Sequence, residues 1–219
     1  MIRIIAILVC FQLLAACDGY PRDPKGSLRA AQNQVLKVGA SEFSPWVRWE
    51  NGNATGIEAE LVENFARSIG TRVEWITGSE GMLMTMLEAH ELHLVVGGIT
   101  ADSPWKKRVA LTRPYRKQHY LICSTDENLS PRTLKNQKVA LYKDSPLGAQ
   151  IKDKDGIPER LNSLENYRGL IVIAADERDR YPCGQEEIRL KPSEHVMALP
   201  MGENALLMAV EKFLQGVRR

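Results

Sequence analysis

Short apolar runs alternate with amphipathic stretches along most of this chain, and that alternation limits the folds open to it more than any other feature. Residues 35–39 (VLKVG), 73–76 (VEWI) and 92–96 (LHLVV) read as strands. Between the first two, Leu61, Val62, Phe65, Ala66 and Ile69 fall on one helical face, with Gly70 at the stop. Between the last two, Ser79 is placed to cap a helix carrying Met82, Met86 and Leu87. The order β-α-β-α-β implies a parallel sheet covered on both faces. A second unit follows. Residues 119–123 read as a strand, 126–132 as a polar linker, 138–142 as a strand, Ser145-Pro146 as a helix start and 170–175 as a strand ending at Asp176. Late in the chain, 195–201 reads as a strand. Residues 203–217 read as an amphipathic helix with Leu206, Val210, Phe213, Leu214 and Val217 on one side.

The N-terminus reads as a targeting segment. Met1-Ile2-Arg3 is a short positive region, and residues 4–14 form an apolar run too short to span a bilayer. The run ends in Leu14-Ala15-Ala16-Cys17, which resembles the lipobox of bacterial lipoproteins, where the cysteine is acylated. An ordinary signal peptide is the alternative. We expect a signal peptide over 1–16 and a lipid anchor and tether over 17–34, the tether rich in Pro, Gly and charge and without periodicity. The resemblance implies a periplasmic, membrane-anchored protein. Asp18 favours inner-membrane retention by the enteric rule. With Cys10 and Cys17 set aside, Cys123 and Cys183 remain in an oxidising compartment. Their separation leaves a disulfide and two buried thiols equally open.

Charge excludes one class of partner. Twenty-nine basic against 27 acidic residues give a net +2, with no basic patch, so nucleic acid is not expected. His90 and His93 do not share a strand face, so no metal site is expected there. There is no Gly-rich phosphate loop and no local Ser/His/Asp arrangement. No cofactor is expected.

In open α/β sheets, ligands lie outside the carboxyl ends of the strands. That rule selects the loop around Glu42, Phe43 and Trp46, the turn from Gly98 to Thr100, the turn from Tyr142 to Ser145, and Asp176. Several stretches carrying these residues resemble the amino-acid-type periplasmic solute-binding proteins of bacterial ABC transporters. They are VLKVGASEFSPWVRWENGNATGIEAELVENFARSIG, LHLVVGGITADSPWKKRVALTRPY, KVALYKDSPLG, LIVIAADE and MGENALLMAVEKFL. The resemblance implies a type II two-lobed α/β fold, each lobe a mainly parallel sheet with flanking helices, joined by two hinge crossovers. Lobe 1 would be 35–117 plus 196–219, and lobe 2 118–195. It further implies a monomeric, non-enzymatic receptor that closes on a small-molecule ligand and delivers it to an ABC transporter permease.

The resemblance also assigns roles. Thr100 would offer a hydroxyl to the ligand, and Asp176 would receive its ammonium group. Ser145 would hold a polar end of it, although Asp144 stands where the family often has glycine. Tyr142 would reach the ligand, while Phe43 and Trp46 would cover it, with Glu42 and Gly98 beside them; for Trp46 a place in the core is equally open. The arginine that forks onto an α-carboxylate is replaced by Trp105. Arg108, Arg113 and Arg48 are weak substitutes. We therefore expect a small polar solute that is not a standard α-amino acid. Trp105 either packs at a helix start or forms an aromatic wall with Phe43, suited to a cation, a sugar or a flat ring compound. Two other functions stay open on the same fold: a sensing or accessory domain without transport, and a dehydratase-like enzyme using Glu42, Glu80 or Asp176 as acid.

Overall fold

The computed structural model describes residues 21–126, 129, 132–143, 145–184 and 187–217. The expected signal peptide, Cys17, Asp18 and Asp144 lie outside the described residues.

The first lobe opens with helix α1 (Ser27–Asn33) and strand β1 (Leu36–Ala40), followed by the hairpin of β2 (Arg48–Glu50) and β3 (Asn53–Thr55). Helix α2 (Ile57–Ser68), β4 (Val73–Thr77), α3 (Glu80–Glu88), β5 (Leu94–Val96) and β6 (Ala110–Leu111) complete its N-terminal part. β1 lies between β4 and β5, parallel to both, with Val38 opposite Trp75 on one side and Leu94 on the other. The Ser79 hydroxyl caps α3, accepting from the Met82 amide. A buried cluster that includes Val62, Phe65, Val210 and Leu214 covers one face of the sheet; a second, with Leu83, Met84 and Leu87 of α3, covers the other. Burial on both faces explains why β5 is a continuous apolar run rather than an alternating one.

The chain crosses into the second lobe through β7 (Arg116–Gln118) and β8 (Tyr120–Ser124). There β9 (Lys138–Tyr142), α4 (Gly148–Lys152), β10 (Ile157–Leu161), β11 (Leu170–Ala174) and β12 (Glu187–Arg189) follow, in the sheet order β10-β9-β11-β8-β12. It returns through β13 (Ser193–His195), which pairs antiparallel with β7, then β14 (Ala198–Leu199) and helix α5 (Asn204–Val217). β14 enters the first sheet between β5 and β6, giving the order β4-β1-β5-β14-β6. The single strand expected over 195–201 is thus two, one in the crossover and one in the sheet. β10 and β12 escaped the sequence reading because both are sheet edges: β10 carries Pro158, which edge strands tolerate, and neither is fully buried.

The tether expected over 17–34 is not one where it is described. Ser27–Asn33 is helical, and Ala31 is buried against lobe 1. Asp23 accepts from the Ala205 and Leu206 amides at the start of α5, at 2.7 and 3.2 Å. Glu203 in turn accepts from the Lys25 and Ser27 amides, both at 3.0 Å. These are reciprocal polar caps, which no hydrophobic periodicity announces.

Helix α4 lies over one apolar face of the second sheet, through Leu147 and Ile151. The other face, with Leu121, Ala140 and Ile171, is covered by Leu164, Tyr167, Tyr181 and Cys183 from the segments that connect the strands. Cys123 of β8 and Cys183 form a disulfide there, which fixes that cover in place.

Candidate functional site

The site is built on a tight loop. The Phe43 and Val47 backbones exchange two hydrogen bonds at 2.9 Å, and Trp46 N–H donates to the Phe43 carbonyl at 2.8 Å. The Ser44–Pro45 peptide is cis. The Pro45 and Trp46 carbonyls accept the Ile57 and Glu58 amides at the start of α2, at 3.1 and 2.9 Å, so orphan helix donors anchor the loop. Gly56, at φ 107°, permits this approach: a Cβ there would lie 2.7 Å from the Trp46 carbonyl oxygen.

Phe43 and Trp46 then close over Gly98. A Cβ on Gly98 would meet the Phe43 ring at 2.3 Å and the Trp46 ring at 2.7 Å. The Gly97–Gly98 turn is held from beneath by Glu58, which is fully buried. Its carboxylate accepts from the Gly97 and Gly98 amides at 2.7 and 2.8 Å and from the Tyr115 hydroxyl at 2.5 Å. Burial pushes the Glu58 carboxyl above its ordinary range, and those three hydrogen bonds oppose the push. Trp46 is buried and stacks on His195 of β13, with ring centroids 3.7 Å apart. Burial drives the His195 imidazole down to about 4; the Gly98 backbone opposes this and the Arg116 charge adds to it. Among the described residues, neither imidazole nitrogen has a hydrogen-bond partner of good geometry.

Between the lobes lies a pocket of about 140 Å³, well beyond the roughly 10–15 Å³ that admits one water. Phe43 and Trp46 line it from lobe 1, Arg116, Gln118 and Tyr120 from the first crossover, and Tyr142, Ser145 and Asp176 from lobe 2, with Leu141, Leu147, Val172 and Ile173 as its apolar wall. At its floor, Asp176 accepts from Arg116 Nη2 at 3.1 Å and from Gln118 Nε2 at 2.8 Å, and Arg116 Nε donates to Gln118 Oε1 at 3.2 Å. The Arg116 guanidinium carbon stands 5.6 Å from the Trp46 ring centroid. Asp176 and burial together raise the Tyr120 hydroxyl to about 12, burial being the larger cause. Arg160 braces the opposite rim, donating to the Lys143 and Ser145 carbonyls.

Five of the residues expected from sequence therefore come together: Phe43, Trp46, Tyr142, Ser145 and Asp176. Glu42, Gly98 and Thr100 line an adjoining pocket of about 540 Å³, also bordered by Phe43. The Thr100 hydroxyl is engaged with Asp102 at 2.5 Å. Trp105 lines neither pocket. It packs with Met86 and Ile76 on the lobe 1 cluster, with the Arg108 guanidinium 5.1 Å from its ring centroid, so the structure contains the packing role and not the aromatic wall. Arg108 pairs with Glu88, Arg113 with Glu211 and Arg48 with Glu50, and none of the three lines either pocket. The pocket's guanidinium is Arg116, which sequence reasoning missed. The signal was there: Arg116, Gln118 and Tyr120 alternate along the crossover, and alternate strand residues share a face.

Two α/β lobes, two crossovers running side by side and, between the lobes, a largely apolar pocket carrying the Arg116–Asp176 pair define a two-lobed solute-binding protein. Residues 36–219 match the bacterial extracellular solute-binding proteins, family 3, and the chain belongs to that family. It is 25% identical to the "Probable histidine-binding protein" of Campylobacter jejuni subsp. jejuni, over 62% of this chain and 56% of that one. It is 23% identical to membrane-bound lytic murein transglycosylase F of Methylobacillus flagellatus, over 96% of this chain and 43% of that one. The chain thus spans about half the length of these two relatives. The arginine-bound form of truncated ArgBP from T. maritima has the same fold, with a TM-score of 0.64 at 20% identity, over 86% of this chain and 99% of that one.

Proposed function

We propose that this chain is an extracytoplasmic receptor that captures a small amine-bearing polar solute between its lobes and delivers it to an ABC transporter permease. The observation that carries the reading is Asp176. It is a half-exposed carboxylate at the carboxyl end of β11, facing a pocket walled by Phe43 and Tyr142. A carboxylate beside aromatic faces suits an ammonium group. Relatives named for histidine and arginine binding support an amine-bearing ligand. The expectation against standard α-amino acids rested on the missing arginine at Trp105. Arg116 in the pocket removes that ground, so amino acids belong among the candidates. Closure would be a hinge motion at the paired crossovers, and Cys17 would anchor the protein to a membrane.

The test is thermal unfolding against standard amino acids, their decarboxylated amines, betaines, sugars and aromatic acids. A specific ligand raises the midpoint by mass action. The reading expects amine-bearing compounds to stabilise the protein and to be recovered unchanged. Sugars or amine-free acids stabilising it instead would overturn it.

A second reading has support in one finding: 96% of this chain matches a part of a murein transglycosylase. In that reading the same pocket senses its solute for an attached or neighbouring activity. A permease that takes the solute up only when this protein is present favours transport, and unchanged uptake in its absence favours sensing.

A further inference from the structure

The structure points to a relocated carboxylate site: we propose that Arg116, on the crossover strand, holds the ligand's carboxylate, so that the solute is a zwitterion lying across Arg116 and Asp176. This rests on the reading of the interlobe pocket as the ligand site. At the Gly97–Thr100 turn of lobe 1, the two glycine amides and the threonine hydroxyl are already engaged. Both glycine amides are committed to the buried Glu58 carboxylate, the Thr100 hydroxyl to Asp102, and Phe43 lies over Gly98. An anionic group arriving there would meet Glu58 at close range behind the amides.

Arg116 is the pocket's guanidinium among the described residues, and it is only partly committed. Its Nε and Nη2 donate to Gln118 and Asp176, while Nη1 makes no hydrogen bond among them. Asp176 likewise accepts one hydrogen bond on each oxygen, which leaves acceptor capacity on both. An ammonium can therefore join Asp176 and a carboxylate can join Arg116 without breaking the pair. The four charges then alternate, each with two opposite neighbours. A plain amine satisfies only half of this arrangement and leaves the positive Arg116 beside its own charge.

Calorimetric titration decides it, using each amino acid against the amine that lacks its carboxylate: histidine with histamine, arginine with agmatine, lysine with cadaverine. The native protein should prefer the amino acid of the binding pair by at least tenfold. Arg116→Gln should erase that preference by weakening the amino acid and sparing or tightening the amine, and Arg116→Lys should restore part of it. Thermal unfolding of each variant confirms that it is folded. If amine and amino acid bind the native protein equally, or if Arg116→Gln leaves the preference intact, the assignment of Arg116 fails while the solute-receptor reading stands. If neither member of any pair binds the native protein and no amine-bearing compound of the thermal screen does, the reading of the pocket fails and takes this assignment with it.

Discussion

The Arg116 guanidinium and the Asp176 carboxylate meet at 3.1 Å across the boundary between crossover and second lobe. Their side chains are 38% and 56% exposed, so solvent screens the pair heavily. Asp176→Asn should therefore change unfolding free energy by no more than about 1 kcal/mol. Urea unfolding of the variant checks this. A larger loss would give the pair a structural role and undercut its assignment to ligand binding.

Glu58 should behave in the opposite way. Removing its fully buried carboxylate leaves the Gly97 and Gly98 amides and the Tyr115 hydroxyl without their acceptor. Each stranded donor costs about 1–3 kcal/mol, so Glu58→Ala should destabilise the protein by several kcal/mol and loosen the Gly97–Gly98 turn. Glu58→Gln keeps one acceptor oxygen and should cost less. Denaturant midpoints of the two variants give the order.

The Cys123–Cys183 disulfide braces one face of lobe 2. The crosslink closes a loop of 60 residues, for which chain entropy suggests about 4 kcal/mol. A Cys123→Ser, Cys183→Ser double variant should lose about 2–5 kcal/mol, with amide exchange rising first in β8 and in the segment from Tyr181 to Gly184. Exchange rising uniformly through both lobes would contradict the local role.

His195 makes stability depend on pH. Its ordinary value of 6.5 falls to about 4 in the folded chain, through burial first and the Arg116 charge after it. Between those values the unfolded chain binds a proton that the folded chain refuses. Stability from this residue is thus full above pH 6.5 and lost as the pH falls toward 4. The gap, at about 1.4 kcal/mol per pH unit, amounts to about 3 kcal/mol. His195→Phe keeps a ring on Trp46 and cannot titrate. Urea midpoints at pH 7 and pH 4.5 should converge more in this variant than in the native protein.

Much of this molecule was readable from its residues, and the failures have physical causes. The strands and helices of lobe 1 were legible because burial on one face of α2 and α5 and on both faces of β1 and β5 leaves strong apolar patterns. The edge strands β10 and β12 were not, because half-buried edges carry charge and proline. Residues 21–34 looked like a tether because Asp23 and Glu203 join them to α5 through backbone amides, which leave no periodic trace. Phe43, Tyr142, Ser145 and Asp176 were legible as residues at or just past strand ends, and they line one pocket. Arg116 lies within a crossover strand, away from the carboxyl strand ends where the rule for open α/β sheets looks. Trp105 itself was ambiguous, since an aromatic beside a turn packs as readily as it binds.

The central claim is that the space between the lobes is a ligand site organised by Asp176. Calorimetric titration of native protein and Asp176→Asn with the most stabilising amine-bearing compound tests it most directly. The account predicts saturable binding at one site on the native protein and at least tenfold weaker binding to the variant, with the variant's fold intact. Equal affinity for the two proteins would contradict it and place the ligand elsewhere on the molecule.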